Sequence, residues 1–101
     1  MTKPREVIEG PQYQGEDEEI VYTIDISEWG SSPSGVTVKV YDEDGADVTT
    51  TVTSGSSSTT TTTITLPTIK SLTAGTQYRV EIKFTAGGQV LEAYFVIIAE
   101  D

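Results

Sequence analysis

Four stretches of this chain alternate apolar and polar residues at a period of two, and that pattern restricts its fold more than any other feature. In Ile20–Ile26 the residues Ile20, Tyr22, Ile24 and Ile26 fall on one side, with Val21, Thr23 and Asp25 on the other. Val36, Val38 and Val40 alternate with Thr37, Lys39 and Tyr41. Tyr78, Val80, Ile82 and Phe84 alternate with Arg79, Glu81 and Lys83. In Val90–Ile98, Leu91, Ala93, Phe95 and Ile97 share one face. Successive side chains of a strand point to opposite faces, so each stretch reads as a half-buried strand rich in β-branched and aromatic residues. No segment sustains the 3.6-residue period of an amphipathic helix.

Turn chemistry separates the strands. Asp42-Glu43-Asp44-Gly45 and Ala86-Gly87-Gly88-Gln89 read as hairpin turns. The loop Ser27–Gly35 carries Trp29 among Gly, Ser and Pro. Between Thr49 and Thr63 nearly every residue is Ser or Thr. Low complexity of this kind is compatible with disorder or O-glycosylation. Thr nevertheless favours strands, and Val48, Val52, Ile64 and Leu66 bracket the tract. The expectation is a polar hairpin of Val48–Val52 with Thr59–Leu66, its register weakly specified because identical side chains do not distinguish one slip from another. Residues 1–19 read as a polar arm or short edge strand, with Val7 and Ile8 as its pairing residues, and 20–101 as the domain. With 101 residues, one core is the default. The pattern predicts an all-β sandwich or small barrel of about 6–7 antiparallel strands, from strand count and turn spacing.

Charge narrows the partners. The chain carries 16 acids against 6 bases, a net −10. Such a chain is repelled by phosphate backbones and by anionic lipid, so neither nucleic acid nor membrane is expected as a partner. There is no cysteine and no histidine, which removes disulfides, thiolate chemistry and imidazole bases. No apolar run approaches the roughly 20 residues of a membrane span. The N-terminus lacks the apolar stretch of a signal peptide. It reads as the start of a short complete chain made in the cytoplasm.

Leu72-Thr73-Ala74-Gly75-Thr76-Gln77-Tyr78-Arg79-Val80 resembles the E–F corner of fibronectin type III and related immunoglobulin-like domains. In those families Leu and Gly-Thr precede a Tyr whose hydroxyl bonds back to the corner backbone. The resemblance implies that role for Tyr78, with Leu72 and Gly75 completing the corner. Trp29 departs from it, lying in a loop after the first strong strand instead of on the third strand. As a pattern, the whole chain is similar to small immunoglobulin-like proteins encoded among the structural genes of tailed bacteriophages and prophages. The elements that carry this likeness are the polar arm, Ile20–Ile26, the Trp-Gly loop, Val36–Asp42, the Leu72–Val80 corner and the final hairpin. That likeness implies a virion role near the capsid or the head–tail connection, or residence in the cytoplasm of a bacterial host, and carries over no catalytic residues.

The inventory for catalysis is thin. Lys70 beside Ser71 is the one Ser–Lys pair to consider, and a turn lysine without burial is no base. Paired carboxylates need a cleft to hold a sugar across them, which a sandwich this small does not provide. Asp42–Asp47 offers the oxygen-rich composition of a calcium loop. The EF-hand places Gly at about position six and Glu at about position twelve. Here Gly45 comes at position four and Thr53 at twelve, which favours a plain hairpin turn. No enzyme activity, cofactor or metal is expected.

A contact surface follows from the alternation. In an immunoglobulin-like arrangement the strands Val36–Tyr41, Tyr78–Phe84 and Val90–Ile98 share one sheet. Their outward residues then gather Lys39, Tyr41, Arg79, Lys83, Tyr94, Val96 and Ile98, which include three of the six bases, beside Glu81 and Glu92. Tyr and Arg are enriched in interface cores, and contiguous exposed apolar groups mark contact surfaces. Ordinary cross-strand ion pairing of Arg79 and Lys83 with Glu81 and Glu92 explains the same residues without a partner. The expectation is a non-catalytic structural or assembly module, contacting other structural proteins or itself. The alternative is a cell-surface adhesion or carbohydrate-binding module.

Overall fold

The computed structural model describes residues 5–6, 12–27 and 29–101. Val7 and Ile8, expected to pair as an edge strand, lie outside the described residues. In chain order the elements are β1 (Arg5–Glu6), β2 (Gln12–Gly15), β3 (Thr23–Asp25), β4 (Ser34–Tyr41), α1 (Thr49–Val52), β5 (Thr53–Ser54), β6 (Ser58–Thr59), β7 (Thr63–Thr65), β8 (Thr68–Ile69), β9 (Gln77–Ala86) and β10 (Gln89–Glu100). The class is all-β, with one helical turn.

The larger sheet is centred on the β9–β10 hairpin. β4 pairs antiparallel with β9 on one side, while β1 and β2 both pair with β10 on the other. The second sheet has the order β3-β7-β6, and β5 pairs β8 beside it. An isolated bridge from Ile20 to Ile69 ties the chain entering β3 to β8. The inward residues of both layers form one core. Val80, Ile82, Phe84, Phe95 and Ile97 of the larger sheet meet Ile24, Ile26, Ile64, Leu66 and Ile69, all of them buried. The Tyr22 ring sits 5.1 Å from Phe95, and Trp29 stacks on Phe84 at 6.2 Å. The Trp29 loop is tied to the Thr tract by two backbone bonds, Ile26 N–H to Thr62 O and Ser32 N–H to Thr61 O. Trp29 thereby closes one end of the core from a loop.

The alternation survives with the faces expected. Leu91, Ala93, Phe95 and Ile97 are buried, and each is followed by a half-buried outer residue. Three expectations need correcting. First, the strands are not all antiparallel: β1 and β2 run parallel to β10. Hairpin turns impose antiparallel pairing, but the arm reaches β10 from the far end of the chain, and no turn dictates its direction. Part of the stretch expected as an arm or short edge strand, β2, is therefore built into the larger sheet, and β10 has partners on both sides.

Second, Val48–Val52 is not a strand. The Asp47 carboxylate accepts from both the N–H and the hydroxyl of Thr49. Such a local acceptor turns the chain out of an extended course. Thr51 and Val52 N–H then donate to Val48 O, and α1 sinks Val52 into the core. Third, the Thr-rich hairpin is narrower than expected. Ser58 and Thr59 pair with Thr65 and Ile64, and Thr60 N–H closes the turn on Thr63 O. Val52, Ile64 and Leu66 are the buried apolar anchors of that tract, and two short local ladders replace one long one.

A candidate contact face on the larger sheet

The strand registers set the outer face of the larger sheet row by row. Thr37 stands beside Lys83 and Glu92; Lys39 beside Glu81 and Tyr94; Tyr41 beside Arg79 and Val96; Gln77 beside Ile98 and Tyr13. Lys39, Tyr41, Arg79, Lys83, Tyr94, Val96 and Ile98 thus share one surface. Tyr94, Val96 and Ile98 are half-buried, Arg79 and Lys83 exposed. Tyr13 extends the apolar end of this face and is 59% exposed. The sequence does not single it out, because it lies in residues 1–19, which read as a polar arm or short edge strand; its signal is an aromatic residue among polar neighbours.

The charges are arranged unevenly. The Arg79 guanidinium lies 4.0 Å over the Tyr94 ring, and its Nε donates to Glu81 at 2.9 Å. Stacking on an aromatic face and bonding a carboxylate at once suits a planar guanidinium. Lys39 Nζ lies 3.7 Å from Asp47, off the face. Lys83 and Glu92 are register partners, yet neither has an ion-pair partner among the described residues. The cross-strand ion pairing expected of these four residues is therefore not found among the described residues: Arg79 meets Glu81, but along its own strand. Across β4, β9 and β10 the face dips into a shallow groove of about 260 Å³, lined in part by Thr37, Lys39, Tyr41, Glu81, Lys83 and Glu92.

Carboxylates crowd one end of the molecule. Glu16 N–H donates to Glu100 O, and Gln77 N–H to Glu43 Oε1. These bonds bring the run 16–19, the Asp42–Asp44 turn and the chain's last two residues to the same tip. A cleft of about 290 Å³ there is lined partly by Asp42, Glu43, Asp44, Ser71 and Thr73. In the Asp42–Asp47 turn, Asp42 and Asp47 turn their carboxylates to nearby backbone N–H groups. Asp42 Oδ1 accepts from Asp44 and Ala46 N–H, while Asp47 is held by Thr49 and Lys39. The Thr49 hydrogen bonds, with Lys39 beside them, lower the Asp47 pKa below the ordinary aspartate value. Among the described residues no group of three or more carboxylates converges where a metal ion would sit. Ser71 is exposed, and no hydrogen bond joins it to the Lys70 side chain.

Two structural sites position this face. Thr73 N–H donates to the Tyr78 hydroxyl at 2.9 Å, and Leu72 and Tyr78 are buried. Gly75, at φ +84°, turns the chain so that its N–H reaches Ala99 O. The other site is Gln14, which is fully buried although polar. Its Nε2 donates to Ile69 O at 2.8 Å and to Glu18 O at 3.0 Å, and its Oε1 accepts from the Tyr22 hydroxyl at 2.9 Å. Burial, with Glu18 nearby, raises the Tyr22 pKa and keeps that hydroxyl a donor. Gln14 thus locks β2 against the second layer.

Among the described residues no helix is long and apolar enough to cross a membrane. No protein-family model, curated protein or solved structure matches the chain.

Proposed function

We propose that this chain is a non-catalytic structural module with an immunoglobulin-like, fibronectin type III-like sandwich, and that it acts through the outer face of its larger sheet. The observation that carries the functional reading is that face. On a chain of net −10 the outward positions of β4, β9 and β10 hold three bases against two acids, together with Tyr41, Tyr94, Val96 and Ile98. A surface with little net charge and several aromatic and aliphatic groups has the composition of a contact patch.

The sandwich reading is supported by the grouping of β4, β9 and β10 in one layer and β3, β7 and β6 in the other. The bond from Thr73 to Tyr78 is what a tyrosine corner requires. The setting we propose, a virion or the bacterial cytoplasm in which virions assemble, follows from the resemblance to phage and prophage structural proteins. The partners in that setting are other structural proteins or further copies of this chain.

The test is co-sedimentation with particles assembled from the neighbouring structural genes. Wild type is expected in the particle fraction, and the double variant Tyr94→Glu, Val96→Glu in the supernatant, with circular dichroism showing both folded. Equal recovery of the two proteins with particles would remove the face from the reading. Absence of wild type from the particles would remove the virion assignment.

A further inference from the structure

We infer that the partner on this face is a second copy of the chain, docked across a two-fold axis that sets Lys83 of each copy against Glu92 of the other. The inference rests on the contact-module reading above and names its partner. Three observations carry it. First, Lys83 and Glu92 stand side by side in register as opposite charges, and neither is taken up by an ion pair among the described residues. Adjacent opposite charges form a self-complementary pattern: under two-fold symmetry residue i meets residue j while j meets i, so one axis satisfies both.

Second, this is the surface on which two copies can approach. Each copy carries net −10, much of it at the tip formed by residues 16–19, 42–44 and 100–101. Contacts made with that tip bring like charges together, which costs several kcal/mol at an interface. The outward positions of β4, β9 and β10, with Lys39, Arg79 and Lys83 against Glu81 and Glu92, lack that penalty. Arg79 and Glu81 already neutralise each other at 2.9 Å, which leaves the Lys83–Glu92 pair to select the partner.

Third, the size is adequate. The molecule measures 40 × 24 × 23 Å, so its long side accommodates the roughly 800 Å² per partner of a standard interface. Tyr94, Val96 and Ile98, half-buried in one copy, supply the apolar centre of such a contact.

Charge reversal tests the inference, because both residues lie at the surface and their exchange leaves the core untouched. Light scattering across a concentration series is run on wild type, Lys83→Glu, Glu92→Lys and an equimolar mixture of the two variants. Wild type is expected to dimerise, and each single variant to weaken the dimer by about tenfold or more, since like charges then face each other. In the mixture, one copy presents Glu at both positions and the other Lys at both, so a heterodimer is expected to return. A wild type that stays monomeric at the highest concentration overturns the inference, as does a dimer indifferent to either reversal or a mixture no more dimeric than its components. If wild type is monomeric while the Tyr94→Glu, Val96→Glu variant still loses particle binding, the contact-module reading stands and only the identity of the partner falls. If neither assembly responds to those substitutions, both fall.

Discussion

Replacing Gln14 with leucine probes the least expected part of the structure. The side chain is fully buried and makes three hydrogen bonds, to Ile69 O, Glu18 O and the Tyr22 hydroxyl. Leucine fills a similar volume, so the loss is chiefly one of polar satisfaction. Ile69 O keeps the Ile20 N–H at 3.0 Å, which softens that loss. Glu18 O lies near the surface, where water replaces the amide. The Tyr22 hydroxyl, half-buried beside Phe95, loses its acceptor outright. A buried donor left without a partner costs about 1–3 kcal/mol and a typical lost hydrogen bond about 1 kcal/mol. Together these put the destabilisation at about 2–4 kcal/mol, a large share of the roughly 5–15 kcal/mol that holds a domain folded. Urea unfolding followed by tryptophan fluorescence measures it, as a lower midpoint at unchanged slope. Hydrogen exchange adds a local signature: because Gln14 anchors β2, those amides of Ile97–Glu100 that point toward β2 are expected to lose protection before those that point toward β9, such as Ala99 N–H, which donates to Thr76 O. A loss below about 0.5 kcal/mol, the range of neutral surface changes, would refute the reasoning and mean that β2 is held by its ladder alone.

Other outcomes follow from single observations. Tyr78→Phe leaves Thr73 N–H without its acceptor at 2.9 Å and is expected to cost about 1 kcal/mol by urea unfolding, with no loss of packing. Gly75→Ala meets no atom within 4 Å, so its cost, about 1 kcal/mol or somewhat more, comes only from φ +84°; replacing Gly75 with Asn, which tolerates that region better, is expected to cost less. The lowered pKa values of Asp25 and Asp47 place their stabilisation above the ordinary aspartate range, and it is lost as pH falls through the folded values. Asp47→Ala is therefore expected to flatten the acid side of a stability–pH curve. An unchanged curve would mean that the Thr49 bonds do not survive in solution.

The sequence by itself determined the all-β class and the two faces of the four principal strands. Period-2 alternation is local, and burying one face is the only way such strands can shelter their Val, Ile and Phe residues. It also placed Lys39, Tyr41, Arg79, Lys83, Tyr94, Val96 and Ile98 on outward positions, because the parity of each strand settles that before its neighbours are known. Only the tertiary structure decided the rest. The Thr tract carries almost no apolar pattern, so hydrogen bonding to Asp47 and the few anchors Val52, Ile64 and Leu66 chose between helix and hairpin. Gln14 reads as an arm residue, since a buried amide is tolerable only where acceptors wait for it, and one of these is Ile69 O, 55 residues away. The parallel course of β1 and β2 depends on the free edge that β10 presents once the final hairpin has formed. Which outer charges pair was decided the same way: Arg79 reaches Glu81 and Tyr94 together, while Lys83 beside Glu92 makes no ion pair among the described residues, because side-chain geometry, not strand parity, sets which charges meet.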